Sequence, residues 1–159
     1  MPIKIKRNLK EKSTLGKIVF RTAIGLSAYT LALIGLEYYS DSKSEPIRSQ
    51  EHLEQIMEEE IKKLGIENKN ILLILDDNEK WNYPYAVKIG EESYEININP
   101  SKHKVVSVKH ELYHIADGHC DFGAKFSSDS NIDHLIFYTC YFFYYEPQAA
   151  IYAATGLKL

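Results

Sequence analysis

With 159 residues, 45% of them hydrophobic and 26% charged, the chain suits one globular domain with an accessory segment, which excludes a disordered, collagen-like or polytopic membrane protein. Its net charge of −3 is unevenly divided, since residues 1–17 hold six basic side chains against one acid, while residues 41–159 hold 12 basic against 20 acidic ones. Phosphate binding needs clustered cations, so the acidic body predicts no nucleic-acid partner.

The first predicted element is a membrane helix over residues 18–39. Residues 18–36 carry a single charge, Arg21, and at 1.5 Å per residue they are long enough to span most of a hydrocarbon core. Tyr38 and Tyr39 follow where an interfacial aromatic belt is expected. The basic arm, residues 1–17, predicts a cytoplasmic N terminus and an external body. A buried helix of a soluble protein and a cleaved signal peptide are the alternatives.

A polar linker at residues 40–49 is expected to precede a domain over residues 50–159. Apolar residues at helical spacing predict a helix over residues 50–64, with Ser49 as N-cap and Gly65 as its stop. Three strands should follow: a buried one at residues 71–75, one at 85–89, and one at 94–99, where polar and apolar side chains alternate. The pattern predicts an α+β domain.

The second half of the domain is predicted to be mainly helical. Ser101 is expected to cap a helix that runs to Gly118, followed by a loop over residues 119–130. Residues 132–145 are strongly aromatic, and their uncharged run is too short for a bilayer, so a core helix is expected, with a membrane-facing patch as the alternative. Pro147 fits the first turn of a last helix. Two cysteines, Cys120 and Cys140, allow one disulfide or two free thiols.

The predicted helix before Gly118 contains an H-E-x-x-H motif, residues 110–114. Residues four apart lie on one helical face, so His110 and His114 can bind one metal ion. Glu111 lies next to the first histidine and can act as the general base on a water molecule.

A catalytic zinc site needs a third protein ligand and an open fourth position. The metzincin pattern does not apply, since Cys120 holds the place of that family's third histidine and His119 is out of register. Only Glu146 among the later acids begins an apolar, helix-compatible segment. Small residues in that segment would allow close approach to the motif helix: Ala149, Ala150, Ala153 and Ala154. The remaining acids after the motif are Asp117, Asp121, Asp129 and Asp133.

HELYH followed by a later E-x-x-A segment resembles the gluzincin metallopeptidases, and most of all the compact archaeal minigluzincins, over residues 50–157. The resemblance implies a small zincin-like domain with a short mixed sheet, an active-site helix and a glutamate helix. It implies His110, His114 and Glu146 as zinc ligands, Glu111 as general base, and peptide or protein substrates. It also implies a zymogen, in which a flanking segment blocks the cleft.

The same resemblance implies a peptide-binding edge strand, for which residues 94–99 are the local candidate. It implies a tyrosine or histidine that stabilises the oxyanion, and the sequence leaves five choices: His134, Tyr141, Tyr144, Tyr145 and Tyr152. Ala150 holds the place where several gluzincins have an aspartate that supports a ligand. Asp117 or Asp133 could supply that support instead.

The sequence therefore predicts a membrane-anchored zinc metalloendopeptidase that hydrolyses peptide bonds with zinc-activated water. Two alternatives stay open. The first is a membrane-anchored binding protein whose zinc is latent or structural, with His119 or Cys120 closing the site. The second is a soluble antirepressor-type protease with residues 18–36 packed in its core.

Overall fold

The computed structural model describes residues 9–75, 83–125 and 131–158, and the chain divides into two units, Met1–Gly35 and Leu36–Leu159. Helix α1 (Leu9–Lys43) forms the described part of the first unit and continues into the second. Its segment Gly16–Lys43 is long and apolar enough to cross a membrane, and its most apolar window is not buried. This confirms the predicted apolar helix, although a signal sequence meets the same criteria of length and composition.

The segment predicted as a linker is held against the second unit. Residues 40–43 are the last turn of α1. Beyond them, the Val105 N–H donates to the Glu45 carbonyl at 3.1 Å, Pro46 forms an isolated bridge with Lys104, and Ile47 is buried. These contacts make residues 45–47 an ordered part of the second unit.

Helix α2 (Gln50–Leu64) has the ends that its sequence predicts. The Ser49 hydroxyl accepts a hydrogen bond from the His52 N–H at 3.1 Å, and Gly65 ends the helix with a φ of 72°, a conformation that favours glycine. One face of α2 is buried, through Leu53, Ile56, Met57, Glu60 and Leu64.

The sheet contains β1 (Asn70–Leu75), β2 (Tyr85–Lys88) and β3 (Ser93–Ile98) in the order β1-β3-β2. Strand β3 pairs with β1 in parallel and with β2 in antiparallel, which makes it the central strand. Ile96 and Ile98 are accordingly fully buried. The prediction that residues 94–99 form a peptide-binding edge strand is therefore wrong, because β3 is already paired with a neighbouring strand on each side. The edge strands are β1 and β2.

Strand β1 is less buried than its apolar sequence predicts. Leu72 is 51% exposed, whereas its neighbours Ile71 and Leu73 are partly buried and pack against the core. An edge strand covered on one face leaves alternate side chains in solvent, so an apolar run can form without being wholly buried.

Helix α3 (Val105–Ala116) carries the motif and begins later than expected. Lys104 is its N-cap residue, without a side-chain capping bond, while the Ser101 hydroxyl donates to the Asn99 side-chain oxygen at 2.6 Å. Ser101 is thus part of a turn, and its prediction as N-cap is wrong. The core face of α3 is fully buried, through Val108, Leu112, Tyr113 and Ile115.

Helix α4 (His119–Lys125) replaces the first part of the predicted loop. Gly118, with a φ of 75°, reverses the chain after α3, and the Asp121 carboxylate then accepts from Lys88 Nζ at 2.6 Å and from the Tyr94 hydroxyl at 3.1 Å. These contacts with the sheet stabilise a short helix that the sequence alone does not favour. Residues 126–130 of that loop lie outside the described residues.

The last helices form one continuous run: α5 (Asn131–Cys140), a π-helical turn (Tyr141–Tyr145) and α6 (Glu146–Thr155). Pro147 lies in the first turn of α6, as predicted. The Glu146 N–H bonds to the Tyr141 carbonyl five residues earlier. The expectation of a core helix is wrong for residues 132–145, since Leu135 is 68% and Phe142 is 59% exposed.

Candidate metal centre

Two helices bring the three predicted ligands together. His110 and His114 lie one turn apart on α3, and their Nε2 atoms are 3.0 Å from each other. Glu146, the first residue of α6, places one carboxylate oxygen 3.3 Å from His110 Nε2 and the other 3.3 Å from His114 Nε2. Ala149 and Ala150 are buried, as expected of small residues where two helices approach closely. The π-helical turn directly before Glu146 sets its rotation about the helix axis.

The spacing of these atoms fits a tetrahedral zinc site. Zinc binds histidine nitrogen and carboxylate oxygen at about 2.0–2.1 Å, and a tetrahedral angle then separates two ligand atoms by about 3.4 Å. The Nε2–Nε2 separation of 3.0 Å and the nearest nitrogen–oxygen separations of 3.3 Å, one to each carboxylate oxygen, are close to that figure. With one ligand atom taken from each residue, the three atoms lie within 4.8 Å of one another. Two imidazoles and one carboxylate also form a ligand set that zinc accepts.

The electrostatics of the three groups favour a cation between them. Burial would raise the pKa of Glu146, but hydrogen bonds from His110 and His114 lower it well below its usual range. Burial would lower the pKa of His110, but the Glu146 hydrogen bond and the nearby Glu111 raise it overall. Without a metal ion, an imidazole proton is the only positive charge that the three groups can share.

Glu111 lies beside this group as a buried carboxyl, 5% exposed. Its carboxylate accepts a hydrogen bond from the Ala86 N–H of β2. Burial raises the pKa of Glu111, and the neighbouring His110 and His114 oppose that rise. The residue borders a cleft of about 690 Å³ together with His110 and Glu146. It is therefore placed to exchange a proton with a molecule in the cleft.

The second ring nitrogen of His114 faces a buried polar pair. His114 Nδ1 lies 2.7 Å from His119 Nδ1, and His119 Nε2 lies 3.0 Å from the Asp117 carboxylate. Burial lowers the pKa of His119 to about 4, with a smaller contribution from the neighbouring His114 ring, so the His119 ring is neutral at pH 7. If His114 Nε2 binds a metal, its Nδ1–H donates to His119, and the His119 Nε2–H donates to Asp117. This chain fixes each tautomer and supports the ligand.

Sequence reasoning identified Asp117 as a possible support but missed the His119 ring between it and the ligand. Asp133, the other candidate, has a side chain outside the described part of the structure. The available signal was a histidine five residues after the second motif histidine and two after an aspartate. Because His119 follows the turn at Gly118, its contact with His114 could not be predicted from helical spacing.

The structure directs the two candidate fourth ligands elsewhere. The His119 ring contacts His114 Nδ1, and His119 is not among the three residues whose ligand atoms converge. The Cys120 thiol donates to the Ala86 carbonyl at 3.6 Å, and burial raises its pKa to about 12. Cys120 and Cys140 are both free thiols. Within the described residues, the group that could hold a metal ion is the His110, His114 and Glu146 triad.

Of the five tyrosine and histidine candidates for oxyanion stabilisation, Tyr141 is placed at the site. Its hydroxyl is hydrogen-bonded to Glu146, and its ring stacks on His114 with centroids 5.9 Å apart. Burial, reinforced by Glu146, raises the pKa of Tyr141, which keeps the hydroxyl protonated. In contrast, the Tyr152 hydroxyl donates to Glu60, and Tyr145 packs against His119. Tyr144 and His134 are exposed.

No family model, curated protein or solved structure matches this chain. Its function therefore has to be inferred from the chemistry of the site and not from its relatives.

Proposed function

We propose that the chain is a membrane-anchored zinc metallopeptidase that hydrolyses peptide bonds. The convergence of His110, His114 and Glu146, whose ligand atoms lie within 4.8 Å of one another, is the observation that carries the proposal. A purely structural zinc site would need a fourth protein ligand, whereas His119 and Cys120 are hydrogen-bonded elsewhere. An open position beside a cleft favours catalysis.

In this proposal Glu111 moves the proton. A zinc ion, when bound, supplies Lewis acidity that polarises the scissile carbonyl and lowers the pKa of the attacking water. Glu111 accepts a proton from that water as its oxygen bonds to the carbonyl carbon, and then delivers the proton to the amine nitrogen as the C–N bond breaks. Tyr141 lines the cleft beside Glu146, and its hydroxyl is the proposed donor to the developing oxyanion.

The edge of β2 is the proposed backbone-binding surface. Only its inner edge pairs with β3, and its Ala86 N–H and carbonyl contact Glu111 and Cys120. The strand therefore borders the site directly, and an extended peptide is proposed to lie along its outer edge. This replaces the central strand that the sequence predicted for the role.

Helix α1 is the proposed membrane anchor. Its residues 18–36 have the length and polarity of a single span, with six basic residues before them and acidic residues after them. The basic arm then lies in the cytoplasm and the peptidase domain outside.

A matched pair of variants tests the proposed function. The purified protein is expected to bind one zinc ion per chain, measured by elemental analysis. Glu111→Gln should retain this zinc and lower the hydrolysis of unfolded protein substrates by about 10²–10⁴-fold, since it removes the general base. Glu58→Gln, at an exposed position on α2, is the control and should change neither quantity. Absence of stoichiometric zinc, or full activity in Glu111→Gln, would contradict the proposal.

A further inference from the structure

The cleft beside the candidate metal centre is built partly by the end of α1. Glu37, Ser40 and Asp41 line it together with His110 and Glu111. Asp41 is fixed to the domain, because Lys104 Nζ lies 2.9 Å from its carboxylate and 2.8 Å from its carbonyl oxygen. Ser40 is buried. The end of α1 is thus part of the cleft wall.

The same segment directly follows the apolar run of the sequence. Residues 22–36 carry no charge, and Glu37 is the next residue. At 1.5 Å per residue, the segment from Glu37 to Asp41 lies within about 8 Å of Leu36 along the helix. Tyr38 and Tyr39 are 78% and 61% exposed, as suits side chains at the level of the lipid headgroups. When residues 18–36 span the bilayer, the cleft wall lies at the membrane surface.

An exposed apolar face leads to the same cleft. Leu135, Tyr138 and Phe142 are spaced three and four residues apart on α5 and the π-helical turn, which places them on one side. They are 68%, 55% and 59% exposed, and Phe142 also lines the cleft. Aromatic and aliphatic side chains of this kind lie favourably in the lipid interface.

We infer that the substrates are membrane-anchored polypeptides, cut in an extended segment within about ten residues of their own membrane span. An extended chain advances about 3.3 Å per residue, so such a segment can reach a cleft at the headgroup level without a long tether. The inference rests on the proposed function and names its substrate class. It requires that the apolar face of Leu135, Tyr138 and Phe142 contacts lipid and not a second protein.

The test uses the zinc-loaded full-length protein in phosphatidylcholine vesicles. The probes carry one peptide cassette, taken from a site that the protein cleaves in unfolded casein. In one series a Gly-Ser spacer of five, 15 or 40 residues joins the cassette to a single apolar span in the same vesicles. A further probe presents the cassette as a free peptide. Cleavage at five residues should exceed cleavage at 40 residues by about threefold, because the reach of a flexible spacer grows as the square root of its length and spreads the cassette over a thicker layer above the membrane.

A surface variant separates the membrane effect from the chemistry. Leu135→Ser is expected to slow cleavage of the five-residue probe severalfold and to leave free-peptide cleavage unchanged, because Leu135 lines none of the described clefts. Leu157→Ser is the control, since Leu157 is similarly exposed at 63% but lies after α6. It should change neither rate.

The outcomes distinguish the two proposals. Equal rates at five and 40 residues, or an equal effect of Leu135→Ser on both kinds of probe, would overturn the inference and leave the peptidase intact. If zinc-loaded protein cleaves neither casein nor any probe, the proposed function fails and the substrate inference fails with it.

Discussion

Two carboxylates, the buried Glu60 on α2 and the partly buried Glu146 on α6, have opposite kinds of partners. Glu60 is 6% exposed and accepts from the Tyr152 hydroxyl at 2.6 Å, with Lys109 Nζ at 3.2 Å and Lys63 Nζ at 3.6 Å. Burial would raise the pKa of Glu60, but the Tyr152 hydrogen bond and the two lysines lower it overall. Its charge is compensated by the protein itself, and the cluster joins α2, α3 and α6.

Glu146 instead meets two imidazoles that are themselves lone-pair donors in their neutral form. No lysine or arginine pairs with it among the described residues. Burial of a carboxylate therefore does not by itself identify a metal site. A surplus of lone-pair donors over fixed positive charge favours one, because either a proton on an imidazole or a cation from solution then has to balance the carboxylate.

The largest expected effect separates the two carboxylates directly. Glu146→Gln removes the anionic ligand, so the protein should lose stoichiometric zinc, and peptide hydrolysis should fall to background. Glu60→Gln, the same chemical change at the compensated site, should retain one zinc per chain. Elemental analysis and circular dichroism of both variants would measure metal content and folding. Zinc retained in Glu146→Gln, or lost in a folded Glu60→Gln, would contradict the assignment of Glu146 as the anionic zinc ligand.

A smaller effect is expected behind His114. His119→Ala removes the group that orients this ligand and should weaken zinc binding by about 10–100-fold in chelator competition. His119→Asn keeps an acceptor oxygen near the position of Nδ1 and should restore much of the affinity. If the alanine variant binds zinc as tightly as the parent, or both variants lose equal affinity, His119 only packs against its neighbours.

Glu60→Gln should lower the free energy of unfolding by about 2 kcal/mol, because it weakens hydrogen bonds to a charged group. Urea denaturation of the metal-free protein measures the loss. Glu58→Gln, on the exposed side of α2, should cost almost nothing. Equal stability of the two variants would show that the Glu60 cluster does not stabilise the helix packing.

The smallest effect is a pH dependence of that difference. The pKa of Glu60 is lowered on folding from its usual 4.5, so the unfolded state takes up the proton first. The stability that the carboxylate contributes is therefore fully present above about pH 4.5 and is lost as the pH falls through the folded value. The difference in unfolding free energy between the parent and Glu60→Gln should shrink between pH 7 and pH 3.5. A constant difference would assign the effect to packing alone.

Local patterns determined much of this protein. The four-residue spacing placed His110 and His114 on one helical face, Ser49 and Gly65 marked the ends of α2, and Pro147 marked the first turn of α6. Each depends on residues within one or two turns, where backbone geometry leaves few choices.

Tertiary structure decided the rest. Whether Glu146 reaches the histidines depends on how α6 packs against α3, and the pairing of strands far apart in sequence made β3 central. His119 supports His114 only because Gly118 turns the chain back and contacts of Asp121 with the sheet hold α4 in place. Long-range packing fixes which groups meet, while local sequence fixes only the direction in which each group points.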